Sequence, residues 1–91
     1  MDAKKVVQLK EGFLLERIDG EVSVYHPTLT TAVYLNETGA LIWELCDGSR
    51  SVAEIIDILS DHYPERRNQI ETDVKTLLFQ LVERGIGELV G

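Results

Sequence analysis

Cys46, His26 and His62 are the residues to which covalent or metal chemistry would fall in this chain, which has one cysteine and two histidines. A nucleophilic thiol needs a helix N-terminus or a cationic neighbour to lower its pKa. Cys46 instead lies near the end of a helical pattern, close to its apolar stripe, with Asp47 beside it. It reads as a buried structural thiol. The histidines fall at a strand end and a helix end with no ligand spacing to Cys46, whereas a structural metal site gathers about four ligands. A catalytic nucleophile also needs a positioned base, and no spacing here supplies one. Glu65, Glu71, Asp73, Glu83 and Glu88 read as solvated helix faces, and Gly85-x-Gly87 is too short to be a phosphate loop. The expectation is a protein that is not an enzyme and uses neither metal nor cofactor.

The elements that carry these residues fit one small domain. Ninety-one residues with 44% apolar content are enough for a thin core rather than a disordered chain. Sixteen acids against nine bases give a net charge of −7, the wrong sign for neutralising phosphates, so nucleic acid is not an expected partner. The basic cluster Arg66-Arg67 lies beside Glu65 and is too small for a footprint. No apolar run is long enough to span a membrane. Met1-Asp2-Ala3-Lys4-Lys5 has no apolar signal core behind it. A lone cysteine forms no internal disulfide, so the cytoplasm is the expected location.

Residues 1–11 read as a flexible lead-in, and 12–91 as the domain. Phe13 to Ile18 and Glu21 to His26 flank Asp19-Gly20, a two-residue hairpin signal because both turn positions need positive φ. About that turn Arg17 faces Val22, Leu15 faces Val24 and Phe13 faces His26, which gives one mostly apolar face and one mixed face. After a turn at Pro27 to Thr30, the residues Thr31, Ala32, Val33, Tyr34 and Leu35 predict a third strand with no obvious fourth partner, hence a sheet edge. Three helices follow. Asn36 caps the first and Gly48 stops it. Ser51 with Glu54 caps the second, and Pro64 ends it. Asn68 with Glu71 suggests a cap for the third, whose stripe is Ile70, Val74, Leu77, Leu78 and Leu81. Ile86 to Val90 reads as a short strand or wing.

Strands grouped before helices make the fold class α+β: a three-stranded antiparallel sheet followed by a three-helix, winged-helix-like bundle. Such a bundle is also a lure towards DNA binding, with a winged-helix regulator as the alternative. Trp43 lies off the main stripe of its helix, either packed under the sheet or against the second helix, or offered as an anchor to a partner. Phe79 lies nearly opposite the stripe of the third helix. Either that helix is covered on both sides, or the strip faces a partner or a second copy, as in a structural dimerisation module.

The run Leu35-Asn36-Glu37-Thr38-Gly39-Ala40-Leu41-Ile42-Trp43-Glu44-Leu45-Cys46-Asp47-Gly48 resembles the PqqD family. Ser51-Val52-Ala53-Glu54-Ile55, Asp73-Val74, Leu77-Leu78 and Glu83-Arg84-Gly85-Ile86 fit the same resemblance, which extends over roughly residues 9–90. Phe79 departs from it, standing where the family is expected to carry a polar residue. The resemblance implies a small peptide chaperone without catalysis. Such a protein binds the leader of a ribosomally made precursor peptide and presents it to a modifying enzyme, often of the radical SAM type, as in the synthesis of pyrroloquinoline quinone or related modified peptides. Carried onto this chain, the leader adds as a strand along Thr31, Ala32, Val33, Tyr34 and Leu35. The third helix walls the groove, with Asp73, Leu77, Gln80, Leu81 and Arg84 as lining.

Overall fold

The computed structural model describes residues 2–90. Those residues hold the strands β1 (Val6–Leu9), β2 (Leu14–Ile18), β3 (Glu21–Tyr25), β4 (Ala32–Leu35) and β5 (Gly87–Val90) and the helices α1 (Glu37–Leu45), α2 (Val52–His62) and α3 (Arg67–Glu83). Asp19 and Gly20 take φ of 52° and 81°, the pair of left-handed residues that a type I′ turn requires. The turn fixes β2 on β3 in the expected register, Leu15 opposite Val24 and Arg17 opposite Val22. β4, the third strand of the sequence reading, pairs with β3 antiparallel, Val33 opposite Val24. The sheet order is β2-β3-β4, so the outer side of β4 is an edge.

The expected fold class is what forms: an antiparallel three-stranded sheet with three helices, α+β. Val22, Val24 and Val33 point from the sheet into the interior and are buried, while Leu14, Ile18 and Tyr34 on the opposite face are exposed. Beneath the sheet, Ile42 of α1, Ile55 and Leu59 of α2, and Ile70, Val74, Leu78 and Leu81 of α3 form the core. The i, i+4, i+8, i+11 spacing of the α3 set is one helical face, which is why a single helix can serve as the spine of this core.

The caps decide where α1 and α2 begin. Asn36 Oδ1 accepts from the Gly39 amide at 2.7 Å. Ser51 and Glu54 complete a reciprocal capping box, with Ser51 Oγ accepting from Glu54 N at 3.1 Å and Glu54 Oε1 accepting from Ser51 N at 2.9 Å. Each cap stabilises its helix by about 1 kcal/mol. The expected cap of Asn68 with Glu71 is not used. A 3₁₀ turn at Pro64–Arg66 leads directly into α3, which starts at Arg67 without a side-chain cap.

The lead-in reading of residues 1–11 is corrected at Val6–Leu9. These residues pair antiparallel with β5, Val7 opposite Leu89, in a second, two-stranded sheet. Val7 is buried in the common core. The carbonyls of Ala3 and Lys5 accept from the Ala53 and Val52 amides at 2.8 and 2.9 Å, satisfying donors at the start of α2 that have no partner within the helix. The partner strand lies some 80 residues away in sequence, so no local pattern announces the pairing.

Candidate functional site

The hairpin turn determines which backbone groups of β4 are free. A two-residue turn is closed by a hydrogen-bonded pair, here Ile18 and Glu21. Along β3 the direction of the peptide groups alternates, so Glu21, Ser23 and Tyr25 serve β2, while Val22 and Val24 serve β4. Their partners Leu35 and Val33 are therefore tied to β3. The amides and carbonyls of Ala32 and Tyr34 face outward, a row of two donors and two acceptors with no strand opposite them among the described residues.

Beside this edge lies an open groove of about 220 Å³ between β4, the start of α1 and α3. Tyr34, Leu35, Asn36 and Thr38 form one bank, and Asp73, Thr76, Leu77 and Gln80 form the other. The α3 residues are spaced i, i+3, i+4, i+7, so they make one continuous helical strip. Arg84, one turn beyond Gln80, places Nη1 3.4 Å from the carbonyl oxygen of Ala32. The groove therefore has a guanidinium at its Ala32 end and the Asp73 carboxylate at its Asn36 end. Gln69 Nε2 donates to Asp73 Oδ1 at 2.9 Å, and among the described residues no cation pairs with it. The Asn36 side chain is committed to capping α1 and has its oxygen occupied.

The sequence-predicted residues divide on this geometry. Ala32 and Tyr34 present main chain to the edge, and Tyr34, Leu35, Asp73, Leu77 and Gln80 line the groove. Arg84 reaches the edge from α3. Thr31 lies just before the strand. Val33 is 3% exposed and its peptide groups serve β3. Leu81 is wholly buried beneath α3, so its side chain cannot line the groove. Asn36, Thr38 and Thr76 line the groove beyond the residues expected there. Thr76 was findable, because it stands three residues after Asp73 on the same strip. Of the two aromatic partner candidates, Trp43 is partly buried against the core, and Phe79 is 54% exposed on α3.

Burial, followed by the charge of Asp47, pushes the Cys46 thiol up to about 12, so it is protonated and inert at neutral pH. The Ser49 hydroxyl and amide, with Arg50, hold the Asp47 carboxyl below its usual range. A hydrogen bond to Glu16, reinforced by its charge, raises the Tyr25 phenol on the exposed sheet face. His26 packs edge-on against Phe13 with centroids 5.1 Å apart and accepts from the Thr28 amide at Nδ1. Among the described residues no three His, Cys, Asp or Glu side chains gather as a metal site, and no helix is long and apolar enough to cross a membrane. What the arrangement offers is an unpaired β-edge with a mixed polar and apolar groove alongside, a geometry suited to an extended chain.

Comparison with known proteins points the same way. Residues 21–86 match the family model of Coenzyme PQQ synthesis protein D (PqqD). A PqqA binding protein of Rhodopseudomonas palustris (strain BisB5) is 48% identical over 44 residues, which is 48% of this chain and 43% of that protein. A PqqA binding protein of Methylococcus capsulatus (strain ATCC 33009 / NCIMB 11132 / Bath) is 40% identical over 53 residues, 58% of this chain and 55% of that protein. The chain spans about half the length of the curated relatives it matches. Among solved structures, TbiB1 in complex with the TbiA(beta) leader peptide superposes with a TM-score of 0.70 at 26% identity, covering 89% of this chain and 94% of the other.

Proposed function

The chain belongs to the PqqD family, and from that premise we propose that it is a non-catalytic chaperone for the leader segment of a ribosomal precursor peptide. The single observation that carries this reading is the outward row of Ala32 and Tyr34 amides and carbonyls running beside an open groove. An extended peptide completes that row with main-chain hydrogen bonds, and the Asp73 to Gln80 strip reads its side chains. The binding name of the curated relatives and the leader peptide in the TbiB1 complex support the same reading. The partner that takes over the bound peptide is a modifying enzyme of the radical SAM type, the kind of enzyme the PqqD resemblance implies. The functional unit is one domain, with Val6–Leu9 inside it rather than ahead of it. It acts in the cytoplasm, where a lone thiol stays reduced.

The winged-helix alternative gains nothing from α3. It carries three acids against two bases, and Lys75 and Arg67 are already engaged by Glu71 and Asp57. Titration of a labelled synthetic PqqA peptide, with the TbiA(beta) leader as a second probe, tests the proposal. Micromolar or tighter binding to the parent chain is expected, lost on Tyr34→Pro. Binding of neither peptide overturns it.

A further inference from the structure

A second groove, of about 190 Å³, opens where the first one ends. Thr38 and Asp73 line both, so the second groove adjoins the first at its Asn36 end, between α1 and the start of α3. Beyond that shared threshold the character of the wall changes. Leu59 and Ile70 floor the second groove from the core, while Leu41 and Tyr63 stand over it 39% and 47% exposed. Each is among the large apolar side chains left exposed on this surface, and the two also border a shallow depression with Leu45 and Ile58. Glu37, Asp73 and Arg66 bring charge of both signs to the lining, with Glu37 already 3.6 Å from the Arg17 guanidinium, around this apolar floor. The space equals about six water molecules at ~30 Å³ each, and water held against such walls is favourable to displace.

Resting on the peptide-binding reading above, we infer that this second groove is an anchor site for one large aliphatic or aromatic side chain on the flank of the same peptide, beyond the residues that pair with β4. Adjacency points to the occupant: a chain lying on the edge and leaving over Leu35 passes Thr38 and Asp73, which line both grooves, and meets the second groove next. In an antiparallel addition the N-terminal flank takes this path, because β4 runs towards Leu35. The main-chain row gives affinity to any extended peptide. The anchor makes the domain select one that carries apolar bulk a fixed distance outside the paired segment.

The test uses the full chain and synthetic PqqA peptide, shortened stepwise from the flank that overhangs Leu35. Removing the apolar flank residue is expected to weaken binding about tenfold. Leu41→Lys is expected to weaken the full peptide by a similar factor and leave the shortened one unchanged, with Tyr63→Ala as a second variant and circular dichroism confirming the fold of both. Full-peptide affinity within twofold of the parent in both variants, while Tyr34→Pro still abolishes binding, overturns the anchor and leaves the edge intact. Failure of the parent chain to bind both PqqA, in any form, and the TbiA(beta) leader overturns the edge reading and the anchor with it.

Discussion

Arg84 and Ala32, fifty-two positions apart in sequence, meet across the mouth of the groove, with the guanidinium Nη1 3.4 Å from the Ala32 carbonyl oxygen. That oxygen is one of the two outward acceptors of β4, as the hairpin phase requires independently. The contact is long and Arg84 is exposed, so it adds little to stability. A carbonyl also has a second lone pair, so a visiting amide can share the oxygen with the guanidinium. Arg84→Ala is therefore expected to change unfolding free energy by less than about 0.5 kcal/mol. Peptide affinity should stay within about threefold of the parent. Urea unfolding and peptide titration check both. An affinity loss as large as that of Tyr34→Pro would make Arg84, not the backbone row, the source of binding.

Proline separates the two sides of β4. At Tyr34 it removes an outward donor and leaves the pairing with β3 alone, a position that edge strands tolerate. Tyr34→Pro should keep a cooperative fold and lose peptide binding. At Val33 it removes a donor to β3 and reshapes a side chain that is 3% exposed. Val33→Pro should destabilise the domain by about 3 kcal/mol or more, measured by thermal or urea unfolding. A stable Val33→Pro variant would show the alternation along β4 to be inverted.

Residues 2–9 belong to the stability of the domain. Val7 contributes a buried side chain to the core, worth about 1.5–3 kcal/mol. The Ala3 and Lys5 carbonyls satisfy α2 amides. A chain beginning at Lys10 should be destabilised by about 3 kcal/mol or more relative to the full chain. Equal unfolding midpoints would return residues 2–9 to the status of a lead-in.

Legibility in the sequence followed the range of the signals. Asp19-Gly20 names its own turn type, and the register of β2 on β3 follows from it by counting. Asn36 and Ser51 name their caps because each partner lies three residues away. The β1–β5 pairing is decided by residues at opposite ends of the chain, and Val6 to Leu9 carries no turn to reveal it. At the site, the edge was visible as a strand without a successor. Which of its amides are free was not, since that depends on the phase of the hairpin hydrogen bonds. Leu81 was misplaced for a related reason: the 100° step of a helix puts it one residue off the Asp73 to Gln80 strip and into the core.

Cys46 offers a pH signature. Its thiol is raised from 9.0 in the unfolded chain to about 12 in the fold, chiefly by burial. A group raised on folding stabilises the fold fully below its unfolded pKa, and that stabilisation is lost as pH rises through the folded one. Stability should therefore decline between about pH 9 and 12 in the parent and decline less in Cys46→Ala, compared by urea midpoints across that window. At pH 8 the native thiol should react with a disulfide reagent far more slowly than the urea-unfolded one. Equal rates would place Cys46 at the surface.

Hydrogen exchange at individual amides tests the free edge most directly. In the chain alone, the Ala32 and Tyr34 amides should exchange quickly, while Val33 and Leu35 are protected by β3. With saturating PqqA peptide, Ala32 and Tyr34 should become protected and the other two remain so. Tight binding that leaves the Ala32 and Tyr34 exchange rates unchanged would contradict strand addition at β4.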